Sequence, residues 1–251
     1  MNVIRIEKML DFINKQGAVS IKTLCKHFPD VTYMTVHRDL SVLEKEGAII
    51  RIRGGVKAVN YRIEAEEPFG ARKVENKDAK TAVAFKACNY VNAGDCIYID
   101  SGTTGLAFAK AIPDTPVNVF TCAPNIAVEL AQNNKINVTV CGGKLNKRSL
   151  TLCGKKAIEF FDDINIDTAF IATSGYTLET GFSCGSQDEA ELKRSIIKKA
   201  KRVIILMDID KVGRSLPYTF AKVEDVDIVI SDKEFPKNIL DGLVDADLQI
   251  V

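Results

Sequence analysis

The sequence predicts an N-terminal winged helix-turn-helix joined to a larger α/β layered domain. Three observations carry that prediction. Residues 1–62 hold 11 Lys+Arg against 6 Asp+Glu, whereas the remainder holds 23 basic and 27 acidic residues, so a net charge of +1 hides a basic head on an acidic body. The head shows three capped helical stripes followed by an alternating stretch around a Gly-Gly pair. From about Ala79 onward, short β-branched apolar runs alternate with helical segments, as in a largely parallel sheet covered on both faces.

The head reads in order. In "VIRIEKMLDFINKQG" the apolar residues Ile6, Met9, Leu10 and Ile13 form a helical stripe, and Gly17 ends it. Ser20 is placed to cap "IKTLCKHF", whose inward positions are Ile21, Leu24 and Phe28, and Pro29-Asp30 makes the turn. Thr32 is placed to cap "YMTVHRDLSVLEKEG", which Gly47 terminates, and "AIIRIRGGVKAV" then reads as a hairpin with its tip at Gly54-Gly55. Residues 1–60 therefore read as a DNA-binding domain and 61–78 as a linker; residues 79–251 read as the second domain. In that second domain the strand candidates are "CIYID", "VNVFT", "INVTVC", "TAFIAT", "RVIILMD" and "VDIVISD", with helices such as "AKTAVAFKACNYV" and "SQDEAELKRSIIKKA" between most of them.

Bulk properties exclude several classes. The opening "MNVIRIEKML" has no apolar core of a signal peptide, and no uncharged apolar run approaches the length of a spanning helix. Seven Cys without CxxC spacing, beside two His, point to reduced thiols in a cytoplasmic protein and away from a metal site. No cofactor motif is present, neither G-x-G-x-x-G nor a P-loop.

Helical geometry divides the third helix into two faces. Val36, Leu40 and Leu43 turn inward, while Tyr33, Thr35, His37, Arg38 and Ser41 offer a polar, basic surface. In a helix-turn-helix this helix enters the major groove of double-stranded DNA, where arginine pairs with guanine's two acceptors. Arg51, Arg53 and Lys57 of the hairpin are the candidates for the adjoining backbone. Asp39 would repel DNA if exposed, so it reads as scaffold, tied to a basic residue.

In the second domain the sharpest motif is "YIDSGTTG". A strand ends at Asp100, and Ser101, Gly102, Thr103 and Thr104 turn into a helix whose first N–H groups and hydroxyls suit a phosphate. Gly142-Gly143 after one strand, and Asp208 with Lys211 after another, are the other candidates for an effector site at strand carboxyl ends. "KRSIIKKAKR" reads as the solvated face of a helix.

These residues resemble the DeoR family of bacterial transcriptional repressors over nearly the whole chain. "TVHRDL" is similar to that family's T-[VI]-R-R-D-L, "IRIRGG" to its wing, and Gly17-Ala18-Val19 to its Gly-x-Val. "DSGTT", Gly142-Gly143, "EAELKR" and "DIDKVG" resemble motifs of its effector domain. The resemblance implies a fold related to ribose-5-phosphate isomerase and a phosphorylated sugar or related metabolite as effector. The sequence departs from the family at His37, where an arginine is usual, at Asp210 in place of Ser, and at Cys122 in place of Asn. The last change is expected to remove a donor and an acceptor from the pocket.

The leading expectation is a repressor of a sugar or carbohydrate-metabolism operon, without a catalytic residue, a cofactor or a membrane association. It would bind its operator as a homodimer or homotetramer. The alternative is a sugar-phosphate isomerase-like enzyme with an accessory DNA-binding head, using Asp100, Asp208 and Lys211 for proton transfer.

Overall fold

The computed structural model describes residues 3–16, 18–52, 54–58, 66–236, 239–240 and 248–251. The chain divides into two units, residues 1–62 with 236–240, and residues 63–235 with 241–251.

The first unit runs α1 (Val3–Gln16), β1 (Ala18–Ser20), α2 (Ile21–His27), α3 (Tyr33–Lys45), β2 (Ile49–Ile52) and β3 (Gly55–Ala58). Both expected caps form: Ser20 Oγ accepts from Thr23 N at 3.0 Å, and Thr32 Oγ1 accepts from Thr35 N at 3.3 Å. Such caps contribute about 1 kcal/mol each by satisfying N–H groups that the helix cannot. The core joins Ile6, Met9 and Ile13 of α1 to Leu24 of α2 and to Val36, Leu40 and Leu43 of α3. Sequence reasoning did not find β1, which adds a third strand to the hairpin in the order β1-β3-β2. Gly55 is required there, because a Cβ on it would lie 2.3 Å from the Val19 carbonyl oxygen.

The second unit begins with α4 (Phe69–Val74) and α5 (Lys77–Cys88). A helix therefore occupies part of the stretch expected to be linker. Phe69 is buried in the body's core, and its N–H bonds to the Arg148 carbonyl at 2.7 Å. The order continues β4 (Cys96–Ile99), α6 (Thr103–Ala111), β5 (Val117–Thr121), α7 (Pro124–Leu130), β6 (Ile136–Val140), β7 (Lys144–Asn146), β8 (Thr151–Cys153) and α8 (Lys155–Phe160). Next come β9 (Ile166–Ala172), β10 (Gly175–Thr177), β11 (Gly181–Cys184), α9 (Gln187–Lys199), β12 (Ala200–Met207), β13 (Tyr218–Ala221), β14 (Ile228–Ser231) and β15 (Gln249–Ile250).

The main sheet has the order β15-β14-β12-β9-β4-β5-β6 and every pairing is parallel. Strands such as "CIYI" and "IVIS" are buried on both faces, which is why they read as unbroken apolar runs. From β4 the chain builds outward through β5 and β6, then returns to β9 and builds the other way. The order thus reverses between β4 and β9, and the loops leaving their carboxyl ends diverge around a crevice. A smaller antiparallel sheet, β10-β11-β13, and the hairpin β7-β8 flank this end.

Candidate functional sites in the two units

In the head, α3 carries the polar surface that its period predicts. Arg38 and Tyr33 are exposed, Thr35, His37 and Ser41 are half-buried, and Val36, Leu40 and Leu43 are buried. Asp39 is fully buried and takes two bonds from Arg5 of α1, Nε to Oδ2 at 2.6 Å and Nη2 to Oδ1 at 3.1 Å. This fork fixes the rotation of α3 about its axis and leaves Asp39 facing away from the polar surface.

Arg51 of β2 is folded back onto α3. Its guanidinium meets Glu44 Oε2 at 3.2 Å, His37 Nδ1 at 3.1 Å, the His37 carbonyl at 3.1 Å and Ser41 Oγ at 3.1 Å. A guanidinium has no acceptor, so Nδ1 accepts this bond and the imidazole proton sits on Nε2. Nε2 has no hydrogen-bond partner among the described residues, and the Tyr33 ring lies 4.5 Å from the His37 ring, centre to centre. Lys57 lies on β3, half-buried, and Arg53 falls outside the described residues.

In the body, the β4–β9 crevice holds a small cleft. Ser101, Gly102, Thr103 and Thr104 line it from the turn after β4, Ala172, Thr173 and Ser174 from the end of β9, and Lys211 from the turn after β12. Gly102 has φ +102°, a left-handed conformation that a side chain would strain, and no side chain caps α6. Gly105 lets α6 approach the end of β4, since a Cβ there would lie 2.2 Å from the Asp100 carbonyl oxygen. The first N–H groups of α6 therefore open toward the cleft without a side-chain acceptor from the cap.

The other predicted residues take different places. Asp100 lies beneath the cleft floor, 1% exposed, where Oδ2 accepts from Ala172 N at 3.0 Å and from the Lys193 ammonium. Asp208 stands behind Lys211, 3.8 Å from its Nζ, and accepts from Asn76 Nδ2 at 3.3 Å. Gly142 and Gly143 do not line this cleft: a Cβ on Gly143 would meet the Cys153 carbonyl at 2.8 Å, so this glycine serves the packing of β8. Cys122 is fully buried and pairs with the Tyr98 hydroxyl at 3.0 Å, so it removes no group from the cleft lining.

Several lining residues escaped the sequence reading. Lys193 of α9 is buried with its Nζ on Asp100, on the Ala172 carbonyl at 2.7 Å, and over the Phe220 ring at 4.9 Å. Burial alone would lower this ammonium, but the Asp100 carboxylate outweighs it and holds Lys193 above the ordinary lysine range. Glu189, one turn earlier, accepts from Asn146 Nδ2 at 2.7 Å and from the Ser149 hydroxyl; burial, reinforced by the charge of Glu66, raises its carboxyl above 4.5. Glu66 and Arg72 complete the rim, with Arg72 Nη1 on Glu66 Oε1 at 2.9 Å. The signal for Lys193 was available, because Glu189, Lys193 and Ile196 share one helical face with Ala190 and Leu192 beside it.

Chemically, the cleft suits holding better than proton transfer. It presents a helix start, hydroxyls, three cations and two carboxylates. Its one thiol, Cys184, is pushed up to about 12 by burial and stays protonated at neutral pH. Among the described residues no cluster of His, Cys, Asp and Glu is arranged to hold a metal ion.

Two family models match the chain. Residues 5–62 match the DeoR-like helix-turn-helix domain, and residues 75–233 match the DeoR C terminal sensor domain. The chain belongs to the DeoR family. It is similar to the HTH-type transcriptional regulator GlpR of Haloferax volcanii, 30% identical over 245 residues, which span 97% of this chain and 91% of that protein. The HTH-type transcriptional regulator IolR of Bacillus subtilis is 30% identical over 93% of the chain and 92% of its own length. The HTH-type transcriptional repressor GlcR of the same species is also 30% identical, over 91% of the chain and 88% of its own length. This DeoR-family chain is accordingly a DNA-binding transcriptional regulator with a sensor domain. A solved ribose-5-phosphate isomerase A of Methanocaldococcus jannaschii aligns over 55% of each chain at TM-score 0.42 and 17% identity, a partial likeness that bears on no activity. Among the described residues no helix is long and apolar enough to cross a membrane.

Proposed function

We propose that this regulator represses a sugar or carbohydrate-metabolism operon in the cytoplasm, and that a phosphorylated sugar or related metabolite in the β4–β9 cleft controls its hold on the operator. The observation that carries the reading is the cleft itself, where an uncapped helix start and cations face hydroxyls and carboxylates at the reversal point of a parallel sheet. The cations and N–H groups suit a phosphate, and Glu189 and Glu66 suit sugar hydroxyls. Residues 1–60 are the DNA-binding part, 79–251 the effector-binding part, and 61–78, which include α4, the connection.

On the DNA side, Tyr33, Thr35, His37, Arg38 and Ser41 face the major groove, with Arg51 and Lys57 of the hairpin beside them; Arg53, expected from the sequence as a further contact, lies outside the described residues. A head this small gains affinity by repetition, so the working form is a homodimer or homotetramer on half-sites about one helical turn, or a multiple of it, apart. The isomerase alternative is disfavoured by the placement of two of the three residues it needs for proton transfer: Asp100 is buried beneath the floor on the Lys193 ammonium, and Asp208 stands behind Lys211 rather than in the cleft lining.

The test is a thermal-shift screen of sugar phosphates beside their unphosphorylated counterparts. A binder at 100 times its Kd stabilises the native state by about 2.7 kcal/mol, enough for a clear rise in Tm. Hits are then titrated against the protein on DNA from upstream of its own gene, at several salt concentrations. No phosphate-dependent stabilisation, or no preference for that DNA over random duplex, overturns the proposal. Turnover of a pentose or hexose phosphate restores the enzyme reading.

A further inference from the structure

Arg72 holds an arrangement that neither the cap chemistry nor the core explains. It comes from α4, in the stretch between the two recognised domains, yet its guanidinium lines the ligand cleft. One nitrogen, Nη1, is held by Glu66 Oε1 at 2.9 Å. Nε and Nη2, which form the side-on fork of the guanidinium, are buried and have no hydrogen-bond partner among the described residues. A buried guanidinium with its fork unsatisfied is costly, and the group that matches a fork of two parallel N–H donors is a phosphate or carboxylate with two oxygens.

The neighbours hold that fork in place. Glu66 is itself fixed by the Ser174 hydroxyl at 2.5 Å and lies against Gly185, where a Cβ would stand 2.5 Å from the Glu66 Cβ. The end of α4 is closed by the buried Lys80, whose ammonium donates to the Arg72 carbonyl at 2.7 Å and the Glu75 carbonyl at 2.5 Å. The guanidinium is thus preset before a ligand arrives, which removes part of the ordering cost of binding.

We propose that Arg72 is an anion-binding residue of the sensor cleft, taking the ligand's phosphate or carboxylate on its Nε–Nη2 fork while Glu66 positions it through Nη1. The inference rests on the phosphorylated-ligand reading of this cleft. It also gives that ligand a grip on the connecting stretch, because Glu66 and Arg72 lie only a few residues beyond the helix-turn-helix match, which ends at residue 62. An anion on the fork and Glu66 on Nη1 hold the same guanidinium in one orientation, so their coupling runs through the positioning of that side chain, and by reciprocity whatever pulls Glu66 away weakens the anion's binding.

The experiment is calorimetric titration of the full chain with inorganic phosphate at constant ionic strength, comparing wild type with R72K, E66Q and T104V. R72K keeps the charge and loses the fork, so phosphate should bind about tenfold or more weakly while the unliganded Tm stays close to wild type. E66Q keeps the shape and weakens the hold on Nη1, so an intermediate loss is expected, and an R72K/E66Q double variant should lose no more than R72K alone. T104V reports on the α6 cradle independently. If T104V weakens phosphate binding and R72K does not, the cleft reading stands and the assignment of Arg72 falls. If wild type itself binds no phosphate, both fall together. Should R72K fold poorly, E66Q decides alone, and unchanged affinity in E66Q overturns the positioning role.

Discussion

Replacing Lys193 by alanine should cost the body more than any other lysine change on α9. The side chains of Lys193 and Asp100 are 6% and 2% exposed, so the substitution leaves a carboxylate under the cleft floor without its counter-charge. Breaking a buried pair this way typically costs about 3–5 kcal/mol. The lower end applies here, since Ala172 N at 3.0 Å and the Tyr98 hydroxyl at 3.4 Å still donate to Asp100. For a unit of roughly 150–250 residues, each kcal/mol moves Tm by about 2–4 °C, so scanning calorimetry should show the body's transition roughly 6–12 °C lower. K198A, on an exposed position of the same helix, serves as the control and should leave Tm almost unchanged. The pair also sets an alkaline signature. Because Lys193 is raised in the folded state, its contribution is complete below the ordinary lysine value near 10.4 and is lost as pH climbs through the higher folded value. A drop smaller than about 2 °C in K193A, or an alkaline profile identical to wild type, would refute the claim that this pair holds the cleft floor.

Three further outcomes follow from the same geometry. E189Q should be more stable than wild type at pH 7 and nearly equal to it at pH 4, because the raised carboxyl of Glu189 favours folding below its ordinary 4.5 and loses that contribution as pH rises through its folded value; denaturation at the two pH values checks this. G105A should push α6 off the end of β4, costing about 1–3 kcal/mol and abolishing stabilisation by phosphate, read by thermal shift with and without the ion. R38A should lower operator affinity by about 1–3 kcal/mol, with relaxed discrimination at particular base pairs, in binding to a set of singly substituted operators. A uniform loss across that set makes Arg38 a phosphate contact instead.

Legibility in the sequence followed the range of the interactions. Ser20 and Thr32 cap their own helices, and the apolar runs of the inner strands β4, β9 and β14 are buried on both faces whatever their partners, so local pattern sufficed for both. Ser101 to Thr104 were legible because a strand running into a Gly-Thr-Thr turn makes the same helix start in any context. Lys193, Glu66 and Arg72 were not, since a charged residue is read as solvated unless its counter-charge is known, and Lys193 meets Asp100 from 93 residues away. Gly143 was ambiguous for a related reason: glycine records close approach without saying to what, and here the neighbour is the Cys153 backbone, while a Cβ on Gly142 would meet nothing within 4 Å. The antiparallel β10-β11-β13 sheet stayed hidden because its strands have only three or four residues, too few for an alternation to declare itself.

Each functional motif also contains one aspartate that turns inward, and the two raise the same question about why a charge is buried there. Asp39 stands among residues facing outward and is tied to Arg5, just as Asp100 precedes the Ser101–Thr104 turn and is tied to Lys193. A buried ion pair is weak evidence for stability, because an apolar pair of similar volume often does as well. What an apolar pair does not supply is direction. The Arg5–Asp39 fork has two distances to satisfy at once, 2.6 and 3.1 Å, and few rotations of α3 do so. The R5M/D39L double variant separates these roles. Its Tm should lie at or above that of wild type, and its binding to random duplex should be unchanged, since the exposed cations remain. Its preference for operator over random duplex should fall, because Arg38 and His37 then meet the bases from a range of helix orientations. Competition titrations at fixed salt read this ratio directly. An unchanged ratio would mean that the apolar stripe of Val36, Leu40 and Leu43 alone fixes α3, and that Asp39 serves only to keep a charge away from DNA.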